Sequence, residues 1–483
     1  MKRLGLLGLC LSLLLGLAGQ SAAATEVRMV GDARVHANVW SNIDYTGWNA
    51  NGTRTGDPTT IWERFRLRTD FIANEGLKFR FGIRVQNRIW GNDTFTVDNP
   101  TVAIDVYQAF LQFKWPGTNV EFSIGMQDFD LPMSNPMLAS SPVIGGTRLA
   151  AAIVSVPVCD AFKVNAGFTR LLDTNKDFDP TTTQVADEFD AYFMTLPITL
   201  QGFAATPWAM IGVAGRDAGY FNVGTGSMRN SAESLASNLF SAGTYLAPRG
   251  FSNAQNLYFW VGTSMSVTAL DPFKFYADVI YGEGNASDRG KNRRGGLFLD
   301  VAAEYTGLDI VTPQVTFWYA TGEDSSTTNG SERLPTIVQN WGPSNSFLFD
   351  CTQQFVNGHM ALNPTGSWGF AVSLNKVSFI QDLTHRLTFT YAQGTNSPRA
   401  LRNANLLAGT GNYVQIGRDL ATTENLLAIN FDNEYKIYEN LSAVVETGWA
   451  HGNFDRSVWG RRFVNAAESG DAWKVAFGVT YRF

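Results

Sequence analysis

The chain has 483 residues, 45% of them hydrophobic and 17% charged, with 37 Lys plus Arg against 43 Asp plus Glu and a net charge of -6. The ordinary apolar fraction excludes a disordered or collagen-like polymer, and the slightly acidic balance excludes the clustered basic surface of a nucleic-acid binder. No apolar run after residue 18 approaches the ~20 residues that a membrane helix needs, which excludes a helical membrane protein.

Lys2 and Arg3 precede an apolar run from Leu4 to Ala18, and Ala22, Ala23 and Ala24 follow as a small-residue cleavage site. Residues 1–24 therefore read as an export signal and 25–483 as one exported domain. Only Cys159 and Cys351 remain beyond the leader, too few for a disulfide framework.

From residue 26 onward the pattern has a period of two. Phe65, Leu67 and Phe71 alternate with Arg64, Arg66, Arg68 and Asp70. After a turn at 73–76, Phe79, Phe81, Ile83 and Val85 alternate with Lys78, Arg80, Arg84 and Gln86. Side chains of a strand point alternately to its two faces, so one face here is apolar and the other basic. A helix would scatter those arginines around its axis. Further on, Tyr107, Ala109, Leu111 and Phe113 alternate with Gln108, Gln112 and Lys114, and the same pattern recurs to the C-terminus.

Short turns (73–76, 116–119, 158–160, 437–440) interleave with long polar stretches such as 41–58, 172–187, 217–254, 322–365 and 395–424. That rhythm predicts an all-β fold: a transmembrane antiparallel β-barrel of about 18 strands, 16 being the neighbouring count, with short periplasmic turns and long extracellular loops. A sheet that spans lipid must close, because an open edge leaves backbone groups unpaired. Trp62, Trp90, Trp115 and Tyr481 fall near strand ends, where aromatic girdles belong. The last strand alternates Trp473, Val475, Phe477, Val479 and Tyr481 with Lys474, Thr480 and Arg482, and the chain stops on Phe483.

These features resemble the outer-membrane homotrimeric porins best known from sulfate-reducing bacteria, relatives of the general porins. The resemblance rests on the leader, the Val27–Trp40 strand, the Ile61–Arg68 block, the Gln112–Gly117 turn and the terminal Tyr481-Arg482-Phe483. It implies a homotrimer in a Gram-negative outer membrane, in contact with lipid and lipopolysaccharide and inserted by the barrel machinery through Phe483. It also implies a water-filled channel for passive diffusion of small hydrophilic solutes and ions. The alternative is a substrate-selective channel of sugar or organic-acid type, because 18 strands depart from the 16 of general porins.

A barrel of this size is too wide for side chains to fill, so its polar face should line an aqueous lumen. The pore-lining basic ladder is then Arg64, Arg66, Arg68, Lys78, Arg80, Arg84 and Arg88. Its opposing charge is expected on the third long loop, 128–146, through Asp128 and Asp130, by analogy with the inward-folded loop of general porins. No enzyme is expected: His36, His359, His385 and His451 are the only histidines, and none has nucleophile-elbow or metal-pair spacing. No cofactor, metal or nucleic-acid partner is expected either. A barrel-anchored surface protein or hydrolase is the remaining alternative.

Overall fold

In the computed structural model the described residues are 25–483, apart from 43–44, 48–53, 55, 93–94, 139, 175–185, 221–234, 240–250, 252, 287–292, 327–328, 339–340, 344–345, 350–354, 356–361, 364, 408–413 and 469. The export signal read at 1–24 lies outside them. Among the described residues no helix is long and apolar enough to cross a membrane.

One antiparallel sheet runs through the whole chain. Its strands are β1 (Glu26–Ser41), β2 (Thr59–Asn74), β3 (Leu77–Ile89), β4 (Asp105–Lys114), β5 (Glu121–Phe129), β6 (Thr147–Cys159) and β7 (Phe162–Asp173). Next come β8 (Glu188–Thr195, continued by Ile198–Leu200), β9 (Phe203–Gly215), β10 (Gln255–Val267), β11 (Phe273–Gly284), β12 (Arg294–Tyr305) and β13 (Thr312–Ala320). The last are β14 (Ser367–Ile380), β15 (Leu383–Gly394), β16 (Asn425–Tyr438), β17 (Leu441–Asn453) and β18 (Ala472–Arg482). The break in β8 falls at Pro197, which has no N–H to give a ladder, and both pieces lie between β7 and β9.

The sheet closes. β18 pairs with β1 from Ser41 opposite Trp473 to Asp32 opposite Arg482. Phe483 and Gly31 then exchange two backbone hydrogen bonds of 2.8 and 3.0 Å. Closure leaves no strand edge exposed to lipid, so the 18-stranded count holds and the 16-stranded alternative falls. The outward face is apolar, with Phe79, Leu111, Ile124, Val261, Val372, Ile429 and Phe477 all exposed. Trp90 and Trp115 stand on that face near strand ends. Trp62 does not: it sits opposite inward-facing His36 and stacks toward it, so it belongs to the lumen and not to a girdle.

The core lies inside the barrel. Inward Tyr258, Trp260, Phe298 and Trp318 are wholly buried against Leu334, Ile337, Trp341, Phe347 and Phe349 of the loop between β13 and β14. Each inward tryptophan of this wall faces a glycine on the next strand: Trp208 opposite Gly262, Trp260 opposite Gly282, Trp318 opposite Gly369. A Cβ at Gly282 or Gly369 would collide with the neighbouring indole. The expected polar lumen is therefore corrected in part: the loop ends of β10 to β13 are aromatic on the inner face and covered by folded-in loops, while Asp278, Asp300 and Thr316 keep polar inward positions farther along the same strands.

Candidate functional site: a basic wall and an inward loop

The other half of the wall keeps the charge that the alternation implied. A cavity of about 540 Å³ runs along the inner side of β1, β2, β4–β6 and β18, lined by six arginines (Arg34, Arg64, Arg66, Arg68, Arg148, Arg482) and two aspartates (Asp32, Asp128). Pleating and register produce this excess. Asp32 on β1 lies directly opposite Arg66 on β2, and Arg34 opposite Arg64, so inward side chains of adjacent strands stack into one row.

Part of the row is internally neutralised. Arg64 Nη2 donates to Asp32 Oδ2 at 2.7 Å and Arg66 Nε to Asp32 Oδ1 at 2.6 Å. Arg80 forms a fork on Asp70, with bonds of 2.6 and 2.7 Å, the bidentate geometry that fixes a guanidinium most firmly. Arg148 pairs with Asp128 at 2.9 Å, and Gln108 donates to the other oxygen of Asp128 at 2.6 Å. Arg34 donates to Asn87 at 2.8 Å. Arg68 has no hydrogen-bond or ion-pair partner among the described residues and points its charge into the cavity.

Of the sequence-predicted ladder, Arg64, Arg66 and Arg68 line the cavity. Lys78, Arg80 and Arg84 continue the same inward register on β3, opposite Ile72, Asp70 and Arg66. Arg88 leaves it. A bulge between Val85 and Arg88 puts Arg88 opposite Glu63, which is itself opposite outward-facing Val35. One extra residue in a strand reverses the facing of all that follow, so strict alternation assigned Arg88 to the wrong side.

The same device adds a residue that alternation had placed outside. Between β3 and β4 the register slips at Tyr107. Tyr107 is buried on the lumen side, with the Arg148 guanidinium 4.7 Å and that of Arg84 5.6 Å from its ring centre. Aromatic faces hold cations in place without neutralising them. Arg148 and Arg482 also join the site. Their signal in the sequence was weak, one at a strand start and the other at the penultimate position.

The third outer loop, 130–146, folds into the barrel, but its predicted acids do different jobs. Asp128 faces the arginines. Asp130 does not: its carboxylate accepts the backbone N–H groups of Ser141 at 3.1 Å and Gly146 at 3.3 Å and so closes the base of its own loop. Burial pushes its carboxyl up to about 6. The expected acid-against-base pairing across the constriction is thus carried by Asp128 alone, from the basic side. The rest of the loop is uncharged: Pro136 is exposed, and Met133 packs against the buried core.

The loop is tied to its surroundings at both ends. Near its close, Val143 accepts the N–H groups of Ile337 and Val338 from the β13–β14 loop, at 2.8 and 3.0 Å. Near its tip, Ser134 and Asn135 bond to β11, β12 and β13. In an 18-stranded ring, β11 lies opposite β2, so the loop crosses from the arginine side to the far wall.

Two other charged groups lie outside the cavity lining. Arg293 pairs with Glu283 at 2.7 Å at the loop end of the barrel. Arg294 is buried and donates to the carbonyls of Ser237 and Leu334 at 2.7 and 3.3 Å, so it pins loops and does not face solvent. One carboxylate trio, Glu323, Asp324 and Glu332, is close enough together to hold a cation, and it lies in the β13–β14 loop away from the cavity.

No protein-family model matches the chain, and no curated protein matches its sequence. Solved structures match it over nearly the full length. OccK5 (OpdH) of Pseudomonas aeruginosa is 13% identical with a TM-score of 0.51, covering 95% of this chain and 98% of that one. OpdO of the same organism is 10% identical with a TM-score of 0.51, covering 95% and 97%. The outer membrane protein OprD of that organism is 10% identical with a TM-score of 0.48, covering 94% of each chain. At these identities the first two show a shared fold: this chain is a transmembrane β-barrel of the kind those proteins form.

Proposed function

We propose that this chain is an outer-membrane channel through which small hydrophilic solutes diffuse, with a preference for anions. The observation that carries this reading is a cavity inside a closed barrel where six arginines meet two aspartates. A low-dielectric wall focuses that excess, raising the local concentration of anions and depleting cations. Folded-in loops cover the loop end of the opposite wall, and the basic strip is the charged surface that borders the cavity. It supports the substrate-selective reading, for small organic acids, over an unrestricted pore. The chain is further proposed to assemble as a homotrimer, to contact lipopolysaccharide at its loop end, and to be recognised by the insertion machinery through Phe483. It is proposed to reach the outer membrane by means of its leader.

Liposome swelling tests the reading. Purified, refolded protein is expected to admit a small carboxylate faster than a neutral sugar of equal size. Equal rates would remove the anion preference, and no swelling from a correctly folded barrel would remove the channel itself.

A further inference from the structure

Two buried acids on the wall opposite the arginines play no part in attracting anions. Asp278 on β11 and Asp300 on β12 are directly opposed in the strand register, and both have zero exposure. Opposed side chains on neighbouring strands stand ~4.5–5.5 Å apart at Cβ. The tip of the third loop covers them. Asp278 accepts the Ser134 N–H at 2.8 Å, the Ser134 hydroxyl at 3.0 Å and the Asn135 N–H at 3.2 Å. Asp300 Oδ1 accepts the Asn135 side-chain amide at 3.0 Å, and that amide also donates to the Thr316 hydroxyl at 2.7 Å. Asp300 Oδ2 is buried with no hydrogen-bond partner.

Every donor to this pair is neutral. Of the inward charged groups of the same strands, Lys274 and Glu304 are paired with each other at 3.3 Å, and Arg294, six residues from Asp300 at the loop end of β12, is bonded to the carbonyls of Ser237 and Leu334. Tyr276 is the other titratable side chain on that face of β11. β13 brings Gln314 and Thr316, β10 brings Ser264 opposite Asp278, and the third loop carries no charged residue beyond Asp130 at its base. Two ionised carboxylates side by side, with no cation and one oxygen left bare, is an arrangement that burial strongly disfavours. One proton repairs it, because a carboxylic acid turns the bare oxygen into a donor aimed at its neighbour.

We propose that Asp278 and Asp300 share one proton, held on Asp300 Oδ2, and that this pair is the mooring that fixes the third loop across the lumen. Both are then positioning residues for the constriction. Asp278 supplies the charged acceptor for the loop's two tip amides, and Asp300 supplies the hydrogen bond that lets Asp278 remain an anion. The inference rests on the channel reading only where conductance is its readout.

The two aspartates should then respond differently to the same substitution. Asp300→Asn keeps one acceptor for Asn135 and one donor for Asp278, so its single-channel conductance in a planar bilayer should match wild type. Asp278→Asn turns an acceptor of three bonds into a group with its own N–H donors. It should free the loop tip and raise conductance at least twofold, with added current noise. Equal effects of the two substitutions, or none from either, would overturn the mooring. If Asp278→Asn does not fold, infrared difference spectra of wild type against Asp300→Asn at neutral pH still decide. Wild type should show the carbonyl stretch of a protonated carboxylic acid that Asp300→Asn lacks, and its absence would overturn the shared proton. A folded barrel that carries the band but passes no current would refute the channel reading and leave the shared proton standing.

Discussion

Along β1 to β3 the inward positions read Asp32, Arg34, Arg64, Arg66, Arg68, Arg80 and Arg84, and those of β1 and β2 border a cavity. Along β10 to β13 the inward positions include Tyr258, Trp260, Ile280, Phe298 and Trp318, and they are sealed beneath a folded loop. The outward faces of the two walls are alike, both apolar, because both meet lipid. Only the inward residues differ, and they decide which half of the lumen stays open. A wide barrel need not be a wide pore: aromatic rings on one wall recruit loops, and charge on the other keeps them off.

The largest expected effect comes from breaking the packed half. Trp341 lies in the loop, 97% shielded, with ring centres 5.0 Å from Phe298, 5.6 Å from Trp318 and 5.6 Å from Phe349. Trp341→Ala should cost roughly 3–5 kcal/mol of loop docking. Protease should then cleave the β13–β14 loop in an otherwise intact barrel, and conductance should rise. An unchanged digestion pattern would show that the aromatic cluster does not hold the loop.

On the charged half, Asp32→Asn removes the acid that two arginines share. One charge near the permeation path is worth on the order of 1 kcal/mol at an effective dielectric of about 20, so the anion-to-cation permeability ratio should rise several-fold. A falling ratio would mean that Asp32 serves mainly to hold the arginines in place.

A smaller effect concerns the loops that seal the packed half. Burial pushes both Glu323 and Glu424 up to about 7 from an ordinary 4.5. A carboxyl that binds its proton more tightly when folded adds stability at low pH, and that stability is lost as pH rises through the folded value. Outer loops should therefore resist protease better at pH 5 than at pH 8, with the loss running from about 4.5 to about 7. Resistance that grew with pH would contradict the burial of these two groups. The smallest effect is at Arg88, which the bulge turns away from the lumen. Arg88→Gln should leave ion selectivity unchanged, and a clear loss of anion preference would return Arg88 to the pore.

The barrel was legible in the sequence because its outward face obeys one rule for the whole circumference. Segments expected at 26–40, 255–267 and 441–451 fold as Glu26–Ser41, Gln255–Val267 and Leu441–Asn453. The third quarter of the chain was hardest to divide, and Trp260 and Trp318 show why: near the loop end their strands are apolar on both faces, which blurs the alternation there. Within the site, Arg64, Arg66 and Arg68 followed from parity alone. Tyr107 and Arg88 did not, since a bulge leaves no mark in composition and reverses parity beyond it. Asp130 was misassigned for another reason. An acid beside a loop can serve its own backbone as readily as a pore, and only the bonds to Ser141 and Gly146 reveal which. The mooring acids Asp278 and Asp300 were invisible, because their loop partners lie 143 to 165 residues away in the chain.

The most direct test of the central claim is the reversal potential of the purified protein in a planar bilayer under a salt gradient, measured for wild type and for Arg66→Gln/Arg68→Gln. The arginine-lined cavity predicts a wild-type potential with the sign of anion selectivity and a shift toward cations in the double variant. A cation-selective wild type, or a potential that the two substitutions leave in place, would contradict it.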